Sequence, residues 1–192
     1  MTVGARNTRA DVVAAAGRLF ARNGYHGTSM RDLGRELGLL GSSLYAHVES
    51  KQDLLVEVVE EGARLFEQSA ALAVAREGPA PDHLRALIAG HVDVVLEHRD
   101  VVRTFLNEAR MLDSGRRRRI LAARDEYEKA FRSVIAAGVS EGSFRPDVDP
   151  KLASILILSI LNALERWFRI EGELTRDQLI EQVSGFCLDG IT

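Results

Sequence analysis

Cysteine is almost absent: Cys187 stands alone among 192 residues, so no intramolecular disulfide can staple the chain. That usage fits a reducing compartment and predicts a cytoplasmic protein, as does the lack of a signal peptide before the first amphipathic segment. Proline is scarce, with four residues, and alanine and leucine are abundant, which argues for helix throughout and little strand. Long apolar runs are missing too. The longest, Leu152 to Leu164, is broken by Ser154, Ser159 and Asn162 and is shorter than the ~20 residues a bilayer-crossing helix needs. No membrane partner is expected.

The chemistry of catalysis is also missing. There is no glycine-rich phosphate loop and no nucleophile, base and carboxylate in a recognisable arrangement, so neither an enzyme nor a bound cofactor is expected. His83, His91 and His98 are eight and seven residues apart, whereas ligands on one helix are usually three or four apart. They read as surface or satisfied histidines, and no metal is expected.

What is present is a division of charge. The net charge of −3 says nothing in favour of nucleic acid. Divided after residue 51, however, the chain has a head of +3 and a remainder of −6. A basic head on an acidic body suits a protein that meets phosphate with one end only.

Apolar periodicity and capping residues set out the helices. Thr8 with Asp11 opens a first helix whose inner face is Val12, Val13, Ala16, Leu19 and Phe20, ending at Asn23-Gly24. Ser29 with Asp32 opens a second, short helix carrying Met30, Leu33 and Leu37. Gly38 makes a turn, and Leu44 and Val48 anchor a third helix. Ser50 with Asp53 opens a long fourth helix that runs on through Phe66. Gly78-Pro79-Ala80-Pro81 marks a loop. Further helices are expected over 83–98, 101–112, 116–137, 151–169 and 175–190, about nine in all.

Two short helices about a glycine turn, the second with small polar residues, a tyrosine and a histidine, form a helix-turn-helix whose second helix can enter the DNA major groove. Residues 1–51 are therefore the expected DNA-binding domain and 52–192 a regulatory body.

Over residues 8–55 the chain resembles the TetR family of bacterial transcriptional regulators. The resemblance rests on Leu19-Phe20, Gly24-Tyr25, Thr28, Asp32-Leu33, Gly38, Leu44-Tyr45, His47 and Ser50-Lys51. It implies an all-α fold, with a three-helix head on a helical body that binds ligand and dimerises through its last two helices. It also implies backbone contacts to double-stranded operator DNA by Thr28, Tyr45, His47 and Lys51, with Ser42 and Ser43 facing base edges. A tyrosine hydroxyl and an ammonium can bind phosphate oxygens and fix register without reading sequence. The chain departs from the family pattern at Leu40, Gly41 and Val48, which would start the recognition helix later, capped by Ser42.

In the body, Glu141 to Asp147 is a loop phrase of many family members. Arg166-Trp167-Phe168 with Gly172 to Thr175 resembles the branch that senses acyl-CoA thioesters. Phe105, Asn107, Glu108, Met111, Tyr127, Asn162, Arg166 and Trp167 are the candidate ligand-binding residues. An apolar pocket with few polar groups is what a small-molecule site looks like. Arg116 to Arg119 is a run at a helix start that opposes the helix dipole; it is either a solvated face or an anion site fit for a CoA phosphate. Helix 151–169 is apolar almost all round and must be covered on every side, which predicts a homodimer reading a palindrome. The reading is a repressor released by a small-molecule inducer, lipophilic or an acyl-CoA. The rivals are a helical small-molecule-binding protein or enzyme with a vestigial head, and an architectural DNA binder with a filled body.

Overall fold

The computed structural model describes residues 8–39, 44–46, 48–169 and 171–192. Among these there is no strand. The α-helices are α1 (Arg9–Asn23), α2 (Met30–Leu37), α3 (Lys51–Val74), α4 (Ala80–Glu97), α5 (Arg99–Glu108), α6 (Ser114–Glu141), α7 (Pro150–Trp167) and α8 (Arg176–Asp189), with a 3₁₀ turn at Ala109–Met111. The all-α expectation holds. Eight α-helices are described where about nine were expected, because much of the third expected helix falls on residues 40–43 and 47, which lie outside the described set.

The chain packs as two compact units. One comprises Met1–Ala63 with Asp100–Ile120, the other Arg64–Arg99 with Leu121–Thr192. In the first, α1 packs on α2. Both start on reciprocal capping boxes, in which Thr8 and Ser29 accept from the backbone N–H of Asp11 and Asp32, whose carboxylates accept in return. Gly38 ends α2 in the left-handed conformation (φ 64°) that only glycine adopts without strain. Val12, Ala15, Ala16, Leu19, Phe20, Leu33, Leu44, Leu54 and Leu55 form the core. The hydroxyl of buried Thr104 on α5 donates to the Gly17 carbonyl of α1.

In the second unit α4 packs on both α7 and α8. Its inner face, Leu84, Leu87, Ile88, His91, Val92 and Val95, repeats at helical spacing and is buried. The Arg176 guanidinium of α8 grips the Asp93 carboxylate of α4 through two bonds of 2.6 and 2.7 Å, and this pairing raises its pKa. Arg99 donates to the Phe168 and Glu165 carbonyls (2.8 and 3.3 Å), closing the C-terminal end of α7.

Gly138 of α6 faces Phe144, buried in the loop that follows, and Ala80. A methyl at Gly138 would overlap the Phe144 ring and meet the Ala80 Cβ at 3.0 Å. Helix propensity favours Gly138→Ala by up to about 1 kcal/mol, whereas overpacking a filled core costs about 1–3 kcal/mol. Gly138→Ala is therefore expected to destabilise. A urea denaturation midpoint at or above wild type would contradict this contact.

Candidate functional site

The first unit carries the expected nucleic-acid face. Tyr45 is helical and stands 57% exposed beside the fully buried Leu44, so the core residue fixes a tyrosine that points into solvent. Thr28 is 1% exposed, and its hydroxyl donates to the Gly24 and Leu19 carbonyls at 3.0 and 3.2 Å. Lys51, in the first turn of α3, donates to the Tyr25 and Thr28 carbonyls (both 2.9 Å), with its ammonium 4.1 Å from the centroid of the Tyr25 ring. Thr28 and Lys51 are thus brought together, bracing the 24–28 turn. Two of the ammonium's three N–H donors are spent on carbonyls. Ser42, Ser43 and His47 lie outside the described residues, as do Leu40 and Gly41.

Polar bonds tie this turn to residues 100–120 of the same unit, and nothing in the local sequence announces them. Glu108 accepts from the Tyr25 backbone N–H (3.3 Å). The Tyr25 hydroxyl donates to Gln52 (2.9 Å), whose amide donates to the Met111 carbonyl (3.3 Å). Arg116 pairs with Asp53 at 3.0 Å and Asp113 at 3.5 Å, and Arg119 with Glu60 at 3.8 Å, while Arg117 and Arg118 are exposed. Asp113 also accepts from the backbone N–H groups of Gly115 and Arg116, capping α6. Two of the four arginines, Arg116 and Arg119, therefore meet carboxylates that offset part of the run's conflict with the helix dipole.

The candidate ligand residues divide four and four between the units. In the first, Phe105 is buried against Gly62, Glu108 and Met111 hold the bonds just given, and exposed Asn107 donates to the Arg103 carbonyl of its own helix. In the second, Tyr127 is partly buried, Asn162 half-buried, and Arg166 and Trp167 exposed. Tyr127 alone of the four has a buried polar partner, His91, with 3.0 Å between its hydroxyl and Nδ1. Burial pushes the Tyr127 phenol above its usual range and the His91 imidazole down to about 3. Sequence reasoning read His91 only as one of three surface or satisfied histidines and gave it no part in a site. Its place in the Leu84–Leu87–Ile88–Val92 period is the signal that would have found it. His83 instead bonds the Arg76 carbonyl.

Also in the second unit, a groove of about 860 Å³ runs between α7 and α8, lined among others by Leu156, Ile157, Ile160, Phe186 and Cys187. Leu152, Leu156 and Phe186 are 55, 55 and 71% exposed around it. Among the described residues no helix is long and apolar enough to cross a membrane.

Residues 77–191 match the model of the tetracyclin repressor-like C-terminal domain, and residues 12–58 that of the bacterial regulatory proteins of the tetR family. The chain belongs to the TetR family. By family it is a regulator of transcription. Among similar TetR-family proteins is the HTH-type transcriptional repressor KstR2 of Rhodococcus jostii (strain RHA1), 28% identical over 99% of this chain and 94% of that one. The structure of the ketosteroid transcriptional regulator KstR2 of Mycobacterium tuberculosis is 28% identical and superposes with a TM-score of 0.91, covering 100% of this chain and 97% of that one. AibR in complex with isovaleryl coenzyme A and operator DNA is 26% identical, with a TM-score of 0.85 over 95% and 97% of the two chains.

Proposed function

We propose that this chain is a cytoplasmic, homodimeric repressor, without catalytic activity, that leaves a palindromic operator when a lipophilic ligand or acyl-CoA binds its body. The observation that carries the reading is full-length similarity to repressors named KstR2, together with the fold shared with AibR bound to isovaleryl coenzyme A and operator DNA. Residues 1–51 are the DNA-binding domain in this reading and 52–192 the ligand-binding and dimerisation domain. Ser42, Ser43, Tyr45, His47 and Lys51 contact DNA, whereas Thr28, expected beside them, is buried with its hydroxyl bonded to the Gly24 and Leu19 carbonyls and braces the turn behind them. Phe105, Asn107, Glu108, Met111, Tyr127, Asn162, Arg166 and Trp167 respond to ligand, with exposed Arg117 and Arg118 meeting the CoA phosphates. The apolar groove between α7 and α8 is where the second copy packs, since large apolar side chains grouped on one surface need a cover. An inducer must bind the DNA-free arrangement more tightly than the DNA-bound one, or it shifts nothing.

The test begins with an operator selected by the purified protein from random duplexes. Tyr45→Phe removes one neutral phosphate donor from each of the two heads and is expected to weaken binding about thirtyfold on every sequence with the salt dependence unchanged. Lys51→Met, present once in each head of the dimer, is expected to lower the slope of log affinity against log salt by about 2. Titrating octanoyl-CoA into the operator complex and recording native mass spectra in parallel tests the inducer. No operator recovered would sink the regulator reading. Operator binding indifferent to octanoyl-CoA and other acyl-CoAs would remove the acyl-CoA.

A further inference from the structure

His91 lies on the inner face of α4, 1% exposed, where every neighbour in the helical period is aliphatic. Phe66 of α3 stacks obliquely on it with centroids 4.7 Å apart and lies 5.2 Å from the Tyr127 ring of α6; Phe131 meets Tyr127 edge-on at 5.4 Å. Inside this aromatic cluster the imidazole has one polar partner among the described residues, the Tyr127 hydroxyl on Nδ1. Its Nε2 is buried and makes no hydrogen bond to any described residue. A buried polar atom left unmade costs about 1–3 kcal/mol, and a leucine or phenylalanine here would not carry that cost. A histidine at this point asks for a partner that the described residues do not supply.

The pair also fixes whether that partner donates or accepts. If Nδ1–H donated to Tyr127, the phenol proton and the Nε2 lone pair would both lack partners. With the phenol donating to Nδ1, one group is left over, the Nε2–H. The second arrangement leaves fewer buried groups unmade, so Nε2 is a donor. A free carboxylate is a poor match, because it would bring a charge into a cluster whose polar groups are neutral. Burial keeps the His91 ring uncharged near neutral pH, so it offers no counter-charge.

We propose that His91 and Tyr127 form the polar anchor of a ligand site inside the second unit, where the Nε2–H of His91 donates to a neutral carbonyl oxygen on an otherwise apolar ligand. Tyr127 is a positioning residue that holds the imidazole in the donating tautomer. The inference rests on the reading that the body binds a small molecule, and narrows that ligand to ketones, esters and thioesters over free acids and hydrocarbons.

The test uses the full-length ¹⁵N-labelled protein and two probes of matched shape, cyclohexanone and methylenecyclohexane, which differ in the carbonyl oxygen. His91→Phe assigns the His91 side-chain nitrogen signals by their loss. The ketone is expected to displace the Nε2 signal saturably, with methylenecyclohexane about tenfold weaker, the worth of one neutral hydrogen bond. Tyr127→Phe, which keeps the ring packing on Phe66 and Phe131, is expected to weaken the ketone about threefold. An Nε2 signal moved equally by both probes, or by neither, overturns the anchor and leaves a bound water as its only partner. Octanoyl-CoA that releases DNA without moving the His91 signal would leave the repressor standing and remove the anchor. A ketone-specific response with octanoyl-CoA inert would do the reverse.

Discussion

Leu156→Glu combined with Phe186→Glu is expected to give a folded monomer that holds its operator at least about a hundredfold more weakly. These two side chains are 55 and 71% exposed on the groove between α7 and α8, with Leu152 and Ile155 also uncovered. Each large apolar side chain fully buried by a partner contributes about 1.5–3 kcal/mol. In a two-fold dimer every substitution occurs twice, so four carboxylates would have to be desolvated together. The core of the second unit is built from other residues, among them Ile157, Leu161 and Leu164 inside α7, so helix content should survive. A lone head keeps its half-site contacts but loses the high effective concentration that a tethered second head provides. Sedimentation, far-ultraviolet circular dichroism and operator anisotropy check the three parts. A double variant that stays dimeric with wild-type operator affinity would move the interface elsewhere.

The features legible in the sequence were the ones encoded locally. The boxes at Thr8–Asp11 and Ser29–Asp32, and the bonds of Ser50 with Asp53, each involve residues three apart, and all are made. The start of α8 at Thr175 follows the same rule, with Gln178 completing the box. Boundaries were less exact where no cap marks them. Pro79 precedes α4, which starts at Ala80 rather than near His83, and α6 runs four residues past Ala137 to Glu141 before Gly142 turns the chain.

Bonds between distant residues were not legible. Tyr25 and Glu108 are 83 positions apart, Gln52 and Met111 59, and Asp53 and Arg116 63. No periodicity announces such pairs, so Glu108 and Met111 read only as pocket candidates and Arg116 only as one of a run. The apolar face of α7 could be read from sequence, but not which part of it the chain's own helices cover. His91 is the instructive omission. Comparing the spacing of histidines asked whether they bind a metal; comparing His91 with its aliphatic neighbours on α4 asks why a polar ring replaces one of them.

That ring also makes the protein acid-labile. The folded state holds the His91 pKa at about 3 against an ordinary 6.5, because burial penalises the charged form. The unfolded chain therefore binds a proton below pH 6.5 that the folded chain refuses. Stability from this residue is complete above pH 6.5 and falls as the pH drops toward 3, by up to about 1.4 kcal/mol per pH unit. The carboxylates act in a lower window. Asp11 is held below its ordinary 3.8 by the Thr8 backbone and hydroxyl, Asp32 by the Ser29 hydroxyl and backbone, and Asp113 chiefly by the Arg116 backbone N–H. Their contribution is lost only as the pH falls below that value, so the interval from pH 6.5 to 4.5 separates them from the imidazole. The Tyr127 phenol, raised by burial, stays neutral throughout it. Urea titrations at half-unit steps should show wild type losing about 2–3 kcal/mol across that interval relative to His91→Phe. Two parallel curves would mean that the imidazole accepts its proton inside the fold, and that the aromatic cluster around it is open to water.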